Sequence, residues 1–253
     1  MPFRYTRVLV LAMLLTAGPV VANRAEPKPG HQPAGNADTE PLPWEQGESL
    51  GPLFSLGDPA AKTVIHAYVN YLPIHVAAHF TSPEACRLRH EFNAKHGDAD
   101  SIWGSELCGS FQELQRRYLD TGKAYLLVHE FVLNPSLEAD VGSAMVGRCV
   151  PPQEAAEFFR LQAERYLPWE LRQRGLGWPE QRAKLIEIAR SVAPNRDFDR
   201  CLAPELKAKL FEATRQASRE YDVYAVPSYR IEGRRGMLNA IELLEQLGSS
   251  ESR

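Results

Sequence analysis

"YVNYLPIHVAAHF", residues 68–80, reads as a hydrophobic strand that runs into a proline turn and then a helix. The strand starts earlier, in "KTVIHAYVN" (62–70), where Val64, Ile65, Tyr68 and Val69 supply β-favouring side chains. "LGDP" (56–59), just ahead of it, is expected to be a turn. The stretch holds His75 and His79 but no cysteine.

Working outward, "KAYLLVHEFVL" (123–133) is a second strand, and Gly122 in the preceding "DTGK" is placed to end a helix. "PSYRIEG" (227–233) is a third, closed by a glycine turn. From Pro151 to Tyr221 the periodicity becomes helical. In "EQRAKLIEIARSV" (180–192) Leu185, Ile188, Ala189 and Val192 share one stripe. "PELKAKLFEATRQASREY" (204–221) aligns Leu206, Leu210, Ala213, Ala217 and Tyr221, and "PQEAAEFFRLQAERYL" (152–167) offers Phe158 and Phe159 to a core. Strands joined by long helical crossovers imply parallel pairing in a mixed α/β sheet.

The amino end carries Arg4 and Arg7, an apolar run from Val8 to Ala17, and small residues suited to cleavage after Ala22. Gly18 and Pro19 interrupt the run before the roughly 20 apolar residues that a membrane span needs. Residues 1–22 are therefore expected to be a signal peptide, leaving no transmembrane helix in the mature chain. Residues 23–54 follow as a proline-rich flexible leader, with Trp44 the first side chain able to dock. In an oxidising compartment the four cysteines are expected to form disulfides. Three pairings are open, and proximity favours Cys86–Cys108 with Cys149–Cys201. Hydrophobic residues make up 44% of the 253, enough for a real core, and a formal charge of −3 without a cationic stripe argues against nucleic acid.

Five segments in order, "SLGDPAAKTVIHAYVN", "YLDTGKAYLLVHEFVLNP", "SAMVGRC", "FDRCLAPEL" and "YDVYAVPSYRIEGR", resemble the DsbA-like branch of the thioredoxin-fold superfamily. These are exported disulfide oxidoreductases with a helical domain inserted into a thioredoxin core. The resemblance implies a mixed central sheet flanked by helices. It divides the chain into a first core part (55–149), an inserted helical domain (150–219) and a second core part (220–250). It also implies that Val226-Pro227 is the superfamily's cis-proline, beside which active relatives pair with an extended substrate peptide, and that the protein works in the periplasm.

The family's chemistry needs a C-x-x-C at the start of the first helix, where the dipole and free N–H groups favour a thiolate. Here the positions are Leu72, Pro73, Ile74, His75, Val76 and Ala77, and no register supplies sulfur before Cys86. The leading expectation is thus a redox-inactive binding protein, a chaperone or adaptor, whose partner is an exported or envelope protein or peptide. Its peptide groove would lie at Val226, Pro227 and the apolar turn. The alternative is a thiol–disulfide oxidoreductase or isomerase using Cys86 and Cys108. A third reading is metal binding through His75 and His79, whose i, i+4 spacing lets two imidazoles share an ion. No P-loop, Rossmann glycine set or nucleophile elbow occurs, and no cofactor is expected. Partner identity and oligomeric state are not legible at this level.

Overall fold

The computed structural model describes residues 44, 50–70, 83, 87, 91, 108–165 and 176–251. Its elements run β1 (Phe54–Gly57), β2 (Thr63–Val69), α1 (Ser110–Leu114) continuing as a π-helical turn (Gln115–Leu119), then β3 (Ala124–Glu130). They continue through α2 (Glu138–Cys149), α3 (Pro152–Arg165), α4 (Trp178–Val192), α5 (Phe198–Cys201) and α6 (Pro204–Tyr221) to β4 (Ser228–Ile231) and α7 (Ala240–Glu251).

The four strands form one mixed sheet in the order β1-β3-β2-β4. β2 and β3 are parallel, with Val64 opposite Tyr125 and Tyr68 opposite His129. The expectation of parallel pairing holds there and fails for β4, which runs antiparallel to β2 with Tyr68 opposite Ser228. The helical crossover delivers the chain to the end of the sheet at which β2 finishes, so β4 can only run back. The expected turn at 56–59 also shifts: Leu56 and Gly57 belong to β1, antiparallel to β3, and the turn follows at Asp58, whose side chain accepts from the Ala60 N–H at 2.8 Å. Four residues are too few for alternation to reveal a strand. What places β1 is Phe54, buried against Phe159 of α3 with ring centroids 5.9 Å apart.

Alternation sorts the sheet into two faces. Ile65, Ala67, Val69, Leu126, Val128, Tyr229 and Ile231 are all buried on one of them. His66, Tyr68, Leu127, His129 and Arg230 lie on the other. The helices obey their periodicity. Leu185 and Ala189 are fully buried along α4, as are Phe158 and Ala155 along α3; each large apolar side chain so buried contributes about 1.5–3 kcal/mol. In α6 the buried stripe passes through Leu206, Leu210, Thr214 and Ala217 rather than Ala213. Thr214 belongs there because its Oγ1 accepts the Val132 N–H at 3.1 Å, tying the chain beyond β3 to α6. Gly122 takes a left-handed φ of 69° before β3, the role its position foretells.

Start signals are chemically explicit. Asp197 accepts from the N–H groups of Asp199 and Arg200 to open α5. Asn239 accepts from Ile241 and Glu242 while Glu242 accepts the Asn239 N–H, a reciprocal capping box ahead of α7. No described helix is long and apolar enough to cross a membrane.

Candidate functional site

Three chain segments meet at one end of the sheet, and the topology alone brings them there. β2 and β3 are parallel, so both finish at this end, at Val69 and Glu130. β4 is antiparallel to β2, so it starts there, at Ser228. The Phe131 N–H donates to the Val69 carbonyl at 2.7 Å and the Asn70 amide to the Phe131 carbonyl at 2.9 Å, welding the two exits together. The Val226–Pro227 peptide is cis and sits immediately before β4.

Local bonding shapes the loop that carries it. α6 ends with Asp222 in the left-handed conformation, φ 57°. The Ser218 hydroxyl donates to the Val223 carbonyl at 3.0 Å and the Ser228 hydroxyl to the Ala225 carbonyl, holding the loop on both flanks. Val223 and Val226 face inward and are buried. Tyr224 points out, 72% exposed, its hydroxyl 3.2 Å from Asp222. The other large apolar side chains left exposed among the described residues are Leu133 at 42% and Leu137 at 38%, both on the chain leaving β3 at this same end. The sequence reading names Val226 and Pro227 here but misses Tyr224, Leu133 and Leu137. An exposed tyrosine in a turn carries no periodic signal that could single it out.

A second constellation occupies the His66 face of the sheet. His66 Nδ1 and His129 Nε2 are 3.1 Å apart. Their rings are near parallel, 16° apart, with centroids separated by 5.2 Å. At that nitrogen spacing the imidazoles meet edge to edge, and one N–H donates to the other's lone pair, so at least one ring is neutral. Tyr68 stacks beside His129 at 5.2 Å, and Arg230 lies over the Tyr221 ring at 4.2 Å. Burial pushes the His66 imidazole below its ordinary pKa, helped by Arg230 and opposed by Glu232. Burial also drives His129 down, to about 3, with His66, Arg148 and Arg230 adding to the effect. These groups border a cavity of about 200 Å³ between the sheet and α6. The sequence reading assigns nothing to His129. Only the parallel register, with His66 one step diagonal from His129, joins two histidines 63 residues apart.

Beside the cavity, Glu130 and Arg148 form a buried ion pair at 2.6 Å. Burial raises the Glu130 carboxyl and Arg148 offsets only part of that. Arg148 also donates to the carbonyls of Gly51 and Pro52, so the pair clamps the chain approaching β1.

Cys149 and Cys201 are joined by a disulfide that ties the end of α2 to α5, both sulfurs fully buried. Trp44 is buried against it, its indole N–H donating to Cys201 Sγ at 3.3 Å while Lys209 Nζ donates to its carbonyl at 3.0 Å. Cys108 is also disulfide-bonded and half-buried. It borders an open groove of about 630 Å³ between α1 and α7, with Glu113, Arg117 and Glu245 on its walls. Cys86, its expected mate, lies outside the described residues, as do Leu72 to Ala77, the histidines His75 and His79, and the segment around Ala22. Among the described residues no three histidine, cysteine or acidic side chains converge to hold a metal.

Residues 107–246, more than half of the chain, match the family model described as Thioredoxin. Among solved structures, the chain is similar to a protein-disulfide isomerase from Novosphingobium aromaticivorans, 25% identical over 79% of this chain and 98% of that one, with a TM-score of 0.49. It is similar to α-DsbA1 of Wolbachia pipientis at 14% identity, covering 77% and 88% of the two chains with a TM-score of 0.52. BdbD of Bacillus subtilis in its oxidised form gives 14% identity, 79% and 96% coverage, and a TM-score of 0.51. No curated protein matches the chain.

Proposed function

The chain belongs to the thioredoxin family, with a DsbA-like fold that relates it to the thiol–disulfide oxidoreductases, and from that premise we propose that it is a redox-inactive member that binds extended, apolar segments of other exported proteins. The observation that carries this reading is the coincidence of exposed apolar surface with the cis-proline end of the sheet. Tyr224 lies on the loop just before the cis-proline, and Leu133 and Leu137 follow on the chain that leaves β3 at that end, all three exposed; the segment following β2, Leu72 to Ala77, contains no sulfur. Large apolar side chains kept in water mark an interaction surface, and β4, last in the strand order β1-β3-β2-β4, is the kind of edge to which an extended peptide can add. The protein acts in the periplasm after cleavage behind Ala22; the buried Cys149–Cys201 bond suits an oxidising compartment.

The test is fluorescence anisotropy with a labelled, cysteine-free, apolar peptide, run beside an insulin-reduction assay. The mature protein is expected to bind the peptide and to leave insulin unreduced. Tyr224→Ser with Leu133→Ser is expected to weaken binding by about tenfold or more, roughly 1.4 kcal/mol, without altering the melting temperature. Catalytic turnover with a defined client would overturn the proposal.

A second reading rests on Cys108, a disulfide sulfur at the rim of the groove between α1 and α7. An oxidoreductase or isomerase acting through Cys86 and Cys108 would offer its client that groove. Cys108→Ser separates the two: it abolishes activity under this reading and leaves peptide binding intact under the first.

A further inference from the structure

We propose that the cavity between the sheet and α6 is a binding site for a small oxyanion, a carboxylate or phosphate group held between the Arg230 guanidinium and the His66–His129 pair.

The charges around the cavity point to an anion. Arg148 is neutralised by Glu130 in the buried pair. Arg230 has no carboxylate in ion-pair contact among the described residues, so the cavity carries an excess positive charge. Half-buried, that guanidinium lies over the Tyr221 ring and hydrogen-bonds the Tyr68 side chain, neutral partners that leave its charge uncompensated. Arg230 Nε and His66 Nε2 are both buried without a hydrogen-bond partner, an exception among enclosed polar groups. A planar guanidinium is the cation best matched to a carboxylate or phosphate. The size agrees: about 200 Å³ lies below the roughly 300 Å³ at which pockets for drug-sized ligands begin. It admits an ion of a few heavy atoms and excludes a nucleotide.

The histidines add a proton to the binding event. Both are uncharged near neutral pH because burial opposes their protonation. An anion alongside favours the protonated form, so affinity rises as pH falls. The other charged or titratable groups around them are Arg230 on β4, Glu232 just beyond it, Tyr68 on β2, Glu130 on β3, Arg148 on α2, and Glu220 and Tyr221 on α6. Of these, Glu232 opposes the depression of His66 and does not reverse it.

The experiment titrates the full chain with sodium phosphate and, separately, sodium acetate at constant ionic strength in sodium chloride. The melting temperature and the imidazole Cε1–H resonances of His66 and His129 are followed. At least one anion is expected to give a saturable rise in melting temperature with matching shifts in both resonances, tighter at pH 6 than at pH 8. The two arms distinguish a carboxylate site from a phosphate site. Arg230→Gln is expected to lose about tenfold or more in affinity. Should that variant fold poorly, the histidine resonances of the parent decide alone. The proposal is overturned if neither anion shifts those resonances saturably, or if a folded Arg230→Gln responds as the parent does. Neither result bears on the apolar end of the sheet.

Discussion

His129 shows how far burial moves a single residue. It sits behind Tyr68 and against His66, and its imidazole is held to about 3 from an ordinary value near 6.5. Between those two pH values the unfolded chain binds a proton that the folded protein refuses, so stability declines as pH falls from about 6.5 towards 3. The loss approaches about 1.4 kcal/mol per pH unit, or about 2 kcal/mol between pH 7 and pH 5. Urea denaturation at the two pH values should show it in the parent, and His129→Gln should flatten the dependence. An unchanged pH slope in that variant would mean that the proton is excluded elsewhere. None of this is visible in "AYLLVHE", where a histidine two residues beyond Leu127 looks like an ordinary outward-facing polar group. Its partner lies on another strand, and a one-dimensional pattern does not contain the register.

At the scale of elements, the helices were legible and their contacts were not. The 3.6-residue period gives α6 its observed bounds, Pro204–Tyr221, and α4 to within two residues. Periodicity says which stripe is apolar but not what faces it. α2 illustrates the difference: Gly142 lies mid-helix, where alanine would ordinarily gain up to about 1 kcal/mol. A Cβ at that position would overlap the indole of Trp178 at the start of α4. Gly142→Ala is therefore expected to destabilise by about 1–3 kcal/mol, measured by denaturant unfolding. Trp178→Leu in the same background should recover part of the loss. A neutral or stabilising Gly142→Ala would show that the indole has room to move.

Over the whole molecule, the Cys149–Cys201 bond spans 52 residues and encloses α3 and α4. The entropy of closing so long a loop is worth about 4 kcal/mol. The Cys149→Ala/Cys201→Ala double variant should lose stability on that scale in non-reducing urea titrations and converge with the parent under reduction. A difference that persists in reductant would point to packing rather than the cross-link. The sequence by itself determined the composition of a folded core, three of four strands, the major helices, the branch of the family and the absence of sulfur from Leu72 to Ala77. Those properties are written in residue type and short spacing, which act over a few neighbours. Only the tertiary structure decided that β4 runs antiparallel, that Tyr224, Leu133 and Leu137 are left exposed, and that His66 meets His129 at a cavity lined by Arg230. Each of these depends on strand order and register, set by the collective burial of both sheet faces and carried by no single segment of the chain.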